Sequence, residues 1–176
     1  SINIRINAFE VSFLTEEQTA CFKSDFAIVA YRFSTNAKIL TTPARGGRTM
    51  SKAKIYIDGQ SGTTGLQIFD RIGSRGDVEL LRIDDDKRHD LDERRRFINA
   101  ADVVFLCLLD ESAREAVSLA ENPDVCIIDA STARRTAEGW TYGYPRLNAG
   151  QRAAIAASKR IANPCCHATG FISTVA

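Results

Sequence analysis

Two stretches of this chain carry residues whose types and spacing suit chemistry. Residues 54–65 read KIYIDGQSGTTG: the apolar run Ile55-Tyr56-Ile57 ends at Asp58 and opens into Gly59, Gly62 and Gly65 at three-residue spacing. Glycines let a backbone turn sharply and approach a ligand closely. A helix that starts at such a turn offers unpaired N–H groups and the positive end of its dipole, so strand, glycine turn and helix together suit a pyrophosphate. The spacing is G-x-x-G-x-x-G rather than the usual dinucleotide G-x-G-x-x-G, and by itself it suits an ordinary tight turn equally well. The second stretch holds Cys166, just after a short apolar run and Pro164, where a helix is expected to begin. A helix dipole favours a thiolate at that position. Beside a nicotinamide, such a thiolate points to thioester chemistry between the aldehyde and acid levels. The alternative is that Cys165 and Cys166 are small packing residues, as Cys107 and Cys126 are within their own apolar runs. His167 adjoins Cys166, but successive helical side chains project about 100° apart. That predicts no contact between the two and a surface or packing role for His167.

The elements that must position these residues alternate along the chain. Leu66, Phe69 and Ile72 recur every third residue and predict a helix running from the glycine loop to Gly73. Residues 78–84 predict a second strand, followed by Asp84-Asp85-Asp86-Lys87-Arg88. Asp84 falls near where dinucleotide folds place an acid on the ribose hydroxyls, while Lys87 and Arg88 suit a 2′-phosphate, so NAD and NADP both stay open. The three acids read equally as a solvated turn. Asp90 with Glu93 resembles a capping box opening a helix over 91–100, whose Arg94-Arg95-Arg96 run reads as a solvated face. Residues 103–109 are uniformly apolar, as in a parallel strand covered on both sides. Ser112 with Glu115 predicts the cap of the next helix, which Pro123 ends. Val125-Cys126-Ile127-Ile128 predicts another buried strand. Residues 148–159 predict an Ala-rich helix, and Arg160-Ile161-Ala162 a short strand ahead of Asn163-Pro164-Cys165-Cys166. The fold class is therefore α/β, a Rossmann-like doubly wound parallel sheet. Ligands of such sheets bind at the carboxyl ends of the strands. The loops at 59–65, 131–136 and 163–169 all fall on that edge, which strengthens the nucleotide reading of the glycine turn.

Composition narrows the function classes. With 23 basic and 22 acidic residues the net charge is +1, which argues against a nucleic-acid partner. No apolar run approaches the roughly 20 residues of a membrane span, and no secretory signal is evident. Five cysteines, an odd number without C-x-x-C, and only two histidines read as reduced thiols in a cytoplasm and not as a disulfide framework or metal site. Residues 1–49 do not match the rest: they contain no Met, and Met50 stands four residues ahead of the first strand. They are left as an unassigned extension, read as sequence upstream of a natural start at Met50, with residues 50–176 forming the NAD(P)-binding domain.

From Lys54 onward the chain resembles a known family, the N-acetyl-gamma-glutamyl-phosphate reductases of arginine biosynthesis in their shorter bacterial type. The resemblance rests on KIYIDGQSGTTGLQI, on IDASTARRTAEGWTYGYPRL and on ANPCCHATGFI. The last is similar to the family's N-P-G-C-Y-A-T-G signature and puts the nucleophile on Cys166. Cys165, His167 and Arg146 depart from the family's Gly, Tyr and Glu. The resemblance implies that Gly59, Ser61, Gly62, Thr63, Thr64 and Gly65 cradle the pyrophosphate of NADPH, that Lys87 and Arg88 meet its 2′-phosphate, and that Ser131 lies on the nicotinamide side. Arg135 is then the candidate for substrate phosphate or carboxylate, because a guanidinium fork suits both. The substrate implied is a small-molecule acyl phosphate. The family continues into a second α+β domain that carries catalysis and homo-oligomerisation, so the chain is expected to be an N-terminal portion with little turnover alone. An aspartate-semialdehyde dehydrogenase-like enzyme and a non-catalytic nucleotide-binding module are the other readings.

Overall fold

The computed structural model describes residues 52–59 and 62–175, so the expectations for residues 1–49 and for Ser61 lie outside the described residues. Strand β1 is Ala53–Asp58, and helix α1, Thr63–Gly73, follows the glycine turn. Next come β2 (Val78–Leu81), α2 (Leu91–Ala100), β3 (Val103–Leu106), α3 (Asp110–Ser118) and β4 (Cys126–Asp129). A two-residue strand β5 (Thr141–Tyr142), α4 (Gln151–Ala157), β6 (Arg160–Ala162) and α5 (Cys166–Val175) complete the described chain.

All six strands are parallel, in the order β2-β1-β3-β4-β6-β5. The chain leaves β1 for β2 on one side and then crosses to β3 on the other. The reversal therefore falls between β1 and β3, where doubly wound sheets bind their ligands. Alternation along the buried strands builds two cores on opposite faces. Ile55, Ile57, Val103, Phe105, Cys126 and Ile128 pack with Ile72 of α1 and Ile155 of α4. Tyr56, Val104, Leu106 and Ile127 pack with Ile98 of α2 and Ala116 of α3. Successive strand residues point to opposite faces, and both faces here are covered by helices, which is why the strand sequences read as continuous apolar runs.

Several expected boundaries shift. Strand β2 stops at Leu81, although Ile83 beyond it stays buried. β3 ends at Leu106, and the Cys107 N–H bonds to the Asp58 carbonyl at 2.8 Å as the chain turns away. Ser112 does not cap α3, whose N-cap is Leu109, so Ser112 already lies inside the first turn. Asp90 does cap α2, accepting the N–H groups of Asp92 and Glu93. The reciprocal half of the box is missing: the Asp90 N–H bonds to the Lys87 carbonyl and Glu93 pairs with Arg96. Helix α4 is shorter than the Ala-rich run because Asn148 accepts the Gly150 N–H at 3.0 Å, a local turn that competes with helix. Strand β5 lies in a stretch with no assigned element; two residues between turns carry no periodicity.

The largest correction concerns the arginine run. Arg95 and Arg96 lie on a solvated face, but Arg94 is buried. It shares one helical stripe with Ile98 and Ala101, which are also buried, and the neighbouring charges hide that spacing.

Candidate active site

The glycine turn is held by geometry that admits no side chain at its first position. Gly59 has φ +87°, and a Cβ there would lie 2.3 Å from the Cys107 carbonyl oxygen. The Gly62 N–H returns to the Gly59 carbonyl at 3.1 Å, and Gly62 is the N-cap of α1. Among the described residues no side chain caps this helix, and no acid lies in its first turn. Its first N–H groups are therefore open to an anion, and the positive end of the dipole adds to them. Thr63, Thr64 and Gly65 form that first turn, and Gly65 is buried.

An apolar crevice lined by Thr64, Ile68, Cys107, Ile128, Ala130 and Asn163 joins this turn to the carboxyl ends of β3, β4 and β6. Lys87, Arg88 and Cys166 do not line it. Lys87 and Arg88 are exposed in the loop after β2, within a turn in which the Lys87 N–H bonds to the Asp84 carbonyl at 2.9 Å. That loop leaves the strand next to β1, on the side where the ribose end of a dinucleotide is expected.

Loops after β3, β4 and β6 are laced together. Buried Asp129 accepts the Ser131 N–H at 2.8 Å, and the Ser131 hydroxyl oxygen accepts the Ala133 N–H at 3.2 Å. Asp110, at the start of α3, accepts both the N–H and the hydroxyl of Thr132. The hydroxyl bond, with the N–H bond behind it, holds the Asp110 carboxyl below the usual carboxylate range. Arg135 donates from Nε to the Asn163 carbonyl at 3.2 Å and from Nη2 to the Ala130 carbonyl at 3.4 Å. Two donors of this expected substrate residue thus bind backbone and fix the loop after β4 against the loop after β6.

Cys166 is the first residue of α5 and is half-buried. Cys165 precedes it, and its Sγ accepts the Ala168 N–H at 3.3 Å. The residue that replaces the family's glycine therefore binds an N–H group at the start of the helix. The expectation for His167 needs correction. Its ring is exposed as expected, yet its Nδ1 lies 3.5 Å from the Cys166 Sγ. The 100° offset separates Cβ directions, but at a first turn no preceding turn blocks the side-chain rotamers, and the two lean together.

Three further residues are brought to the site that sequence reasoning did not single out. Asp58, at the end of β1, and Arg94 form a buried ion pair, with Arg94 Nε and Nη2 both donating to Asp58 Oδ2 at 3.2 and 3.0 Å. Arg94 Nη1 donates to Glu115 of α3 at 2.8 Å. Burial pushes the Asp58 carboxyl above its ordinary value, and the Arg94 charge opposes that rise. Tyr142 has its phenol pushed up by burial, with Cys165 and Arg135 also within electrostatic reach. The helical stripe through residues 94, 98 and 101 was the available signal for Arg94; Tyr142 had none beyond its motif.

A parallel doubly wound sheet with a glycine turn beside its reversal point, and a thiol heading a helix after β6, defines a Rossmann-like α/β domain. No family model matches the chain. It is 55% identical over 126 residues to the N-acetyl-gamma-glutamyl-phosphate reductase of Trichormus variabilis, a match covering 72% of this chain and 39% of that protein. It is 54% identical over 121 residues to the reductase of the same name from a Chelativorans species, covering 69% and 39%. Across the matched stretch the chain is similar to proteins named N-acetyl-gamma-glutamyl-phosphate reductase. It spans about two-fifths of the length of these curated relatives. Among solved structures, aspartate semialdehyde dehydrogenase II of Vibrio cholerae, complexed with ASA, aligns with a TM-score of 0.49 and 16% identity over 65% of this chain and 38% of that one. Among the described residues no helix is long and apolar enough to cross a membrane.

Proposed function

We propose that this chain provides the cofactor turn and nucleophile for NADPH-dependent reduction of N-acetyl-L-glutamyl 5-phosphate to N-acetyl-L-glutamate 5-semialdehyde, a cytoplasmic step of arginine biosynthesis. The observation that carries the reading is Cys166 at the head of α5, on the same carboxyl edge as the uncapped start of α1. The names and identities of the relatives support it.

The residues fit the cofactor. The bare approach at Gly59, the open N–H groups of α1 and the absence of acids in its first turn suit a pyrophosphate. Gly59, Gly62, Thr63, Thr64 and Gly65, with Ser61, would hold it; Lys87 and Arg88 would take a 2′-phosphate, and Ser131 would lie on the nicotinamide side. NADPH, when bound, supplies a hydride to the acyl carbon.

The chain's own residues do the rest. His167, 3.5 Å from the thiol, is placed to receive its proton. The Cys166 thiolate attacks the acyl carbon of the substrate, a carbon–sulfur bond forms, and the carbon–oxygen bond to phosphate breaks. Reduction of that thioester breaks the carbon–sulfur bond and returns the thiolate as the aldehyde leaves. Arg135 draws phosphate or carboxylate toward the edge through its fixed positive charge.

Two measurements on the 176-residue chain test this. Titration with NADPH and NADH should give saturable binding that favours NADPH. Intact-mass analysis after exposure to the acyl phosphate, with NADPH withheld, should reveal one acyl adduct that is absent from Cys166→Ser. Failure to bind NADPH, or an adduct that survives Cys166→Ser, would overturn the assignment.

A further inference from the structure

We propose that Arg94 is a positioning residue for the cofactor turn: its buried guanidinium fixes the end of β1 and thereby the direction in which Gly59 leads the chain into α1. This deepens the cofactor-binding reading above and rests on it.

The argument begins with cost. Arg94 and Asp58 side chains are 7% and 6% exposed, and they meet through two donors on one carboxylate oxygen. Taking both charges from water is expensive, and a pair of apolar residues of similar size often serves stability as well or better. What an apolar pair lacks is direction. A planar guanidinium with a donor fork fixes where a carboxylate sits, whereas packed methyl groups tolerate sliding.

Direction matters at this place in the chain. Asp58 is the last residue of β1, and its carbonyl accepts the Cys107 N–H at 2.8 Å. The next residue, Gly59, passes the Cys107 carbonyl so closely that a Cβ would sit 2.3 Å from it. The Gly59 carbonyl in turn accepts the Gly62 N–H, which sets the start of α1. A shift of Asp58 therefore moves the first N–H groups of α1, and with them the anion site. Arg94 also reaches Glu115 of α3, so the same guanidinium links α2, the end of β1 and the helix that follows β3. Arg95 pairs with exposed Asp92 and Glu121, and Arg96 pairs with Glu93 and lies over the Phe97 ring; neither pairs with Asp58, so both serve as built-in controls.

The test is NADPH affinity of the 176-residue chain, measured well below each variant's unfolding midpoint and with folding verified by circular dichroism. Arg94→Lys keeps the charge but loses the fork. We expect it to stay folded and to weaken NADPH binding about tenfold, while Arg95→Met and Arg96→Met bind within twofold of the parent. Amide hydrogen exchange should show faster exchange at residues 62–65 in Arg94→Lys and no change in β4. A folded Arg94→Lys chain that binds NADPH as the parent does overturns the inference and leaves the cofactor reading standing. A parent chain that does not bind NADPH overturns both. If Arg94→Lys does not fold, Glu115→Gln decides: it removes the half-exposed partner of Arg94, and a loss of affinity beyond twofold supports the inference while an unchanged affinity overturns it.

Discussion

The Asp110 carboxylate accepts both the backbone N–H and the hydroxyl of Thr132, tying the start of α3 to the loop after β4. That loop also carries Ser131 and Arg135, so a single acid at the start of a helix orders the residues of a neighbouring loop. The tie predicts a pH dependence with a definite sign. Hydrogen bonds from Thr132 lower the Asp110 carboxyl below its ordinary 3.8. A lowered native value contributes stability that is present above pH 3.8 and is lost as pH falls through the native value. Thermal melts between pH 6 and pH 2.5, approximate bounds that bracket the ordinary carboxylate range, should show Asp110→Asn losing less stability on acidification than the parent. Parallel curves would remove the linkage.

Gly59 and Gly139 offer a paired test of the glycine turn. Both have positive φ, +87° and +78°, but only Gly59 faces a backbone oxygen where its Cβ would stand. Gly139→Ala should cost about 1–2 kcal/mol for left-handed backbone alone. Gly59→Ala adds about 1–3 kcal/mol for the overlap with the Cys107 carbonyl, and should also abolish NADPH binding. Urea unfolding and cofactor titration of the two variants check this; equal stability losses would mean the close approach is relieved without strain.

Asn99 is expected to be the costliest polar residue to remove from α2 apart from Arg94. Its amide donates to the Leu119 carbonyl at 2.9 Å and its oxygen accepts the Glu121 and Asn122 N–H groups at 2.8 Å each. One side chain therefore ties down the chain where α3 ends. Asn99→Ala should destabilise by about 1–3 kcal/mol, the range for stranding half-buried backbone groups. Asn99→Asp, which keeps the acceptor and loses the donor, should fall between, as read from urea midpoints at constant m-value.

The contact between Cys166 and His167 should be visible in thiol reactivity. In the proposed reaction the imidazole takes the thiol proton as the sulfur attacks, so His167→Ala should slow iodoacetamide alkylation of Cys166 by about 3–10-fold. Fragment-ion sequencing of the peptide that holds both cysteines separates Cys166 from Cys165, whose Sγ is held by the Ala168 N–H. Equal rates in parent and variant would reduce the 3.5 Å approach to packing.

What could be read from the sequence was local. The apolar run at β1, the glycine spacing and Asp90 with its following acids all act within a few residues, and each lies where its type demands. What escaped was set at long range or masked by neighbours. Arg94 looked like one charge in a solvated run because Arg95 and Arg96 flank it, although its spacing to Ile98 matched a buried stripe. Ser112 with Glu115 imitated a cap, yet α3 begins at Asp110, whose carboxylate is drawn to Thr132 across a loop no local pattern reveals. Arg135 was expected at the substrate, while its Nε and Nη2 bonds to loop carbonyls depend on β4 and β6 lying side by side.

Strand β5 carries a last consequence, for how copies of this chain meet. Among the described strands it forms one of the two outer edges, β2 being the other, and is only two residues long, with the Gly143 N–H just beyond it still bonded inward to the Ala162 carbonyl. A parallel sheet whose buried strands are this apolar would be a template for fibril-like growth if a long strand lay bare at its margin. Ending the ladder in a two-residue strand leaves so few open backbone groups there that neighbouring molecules find little to pair with.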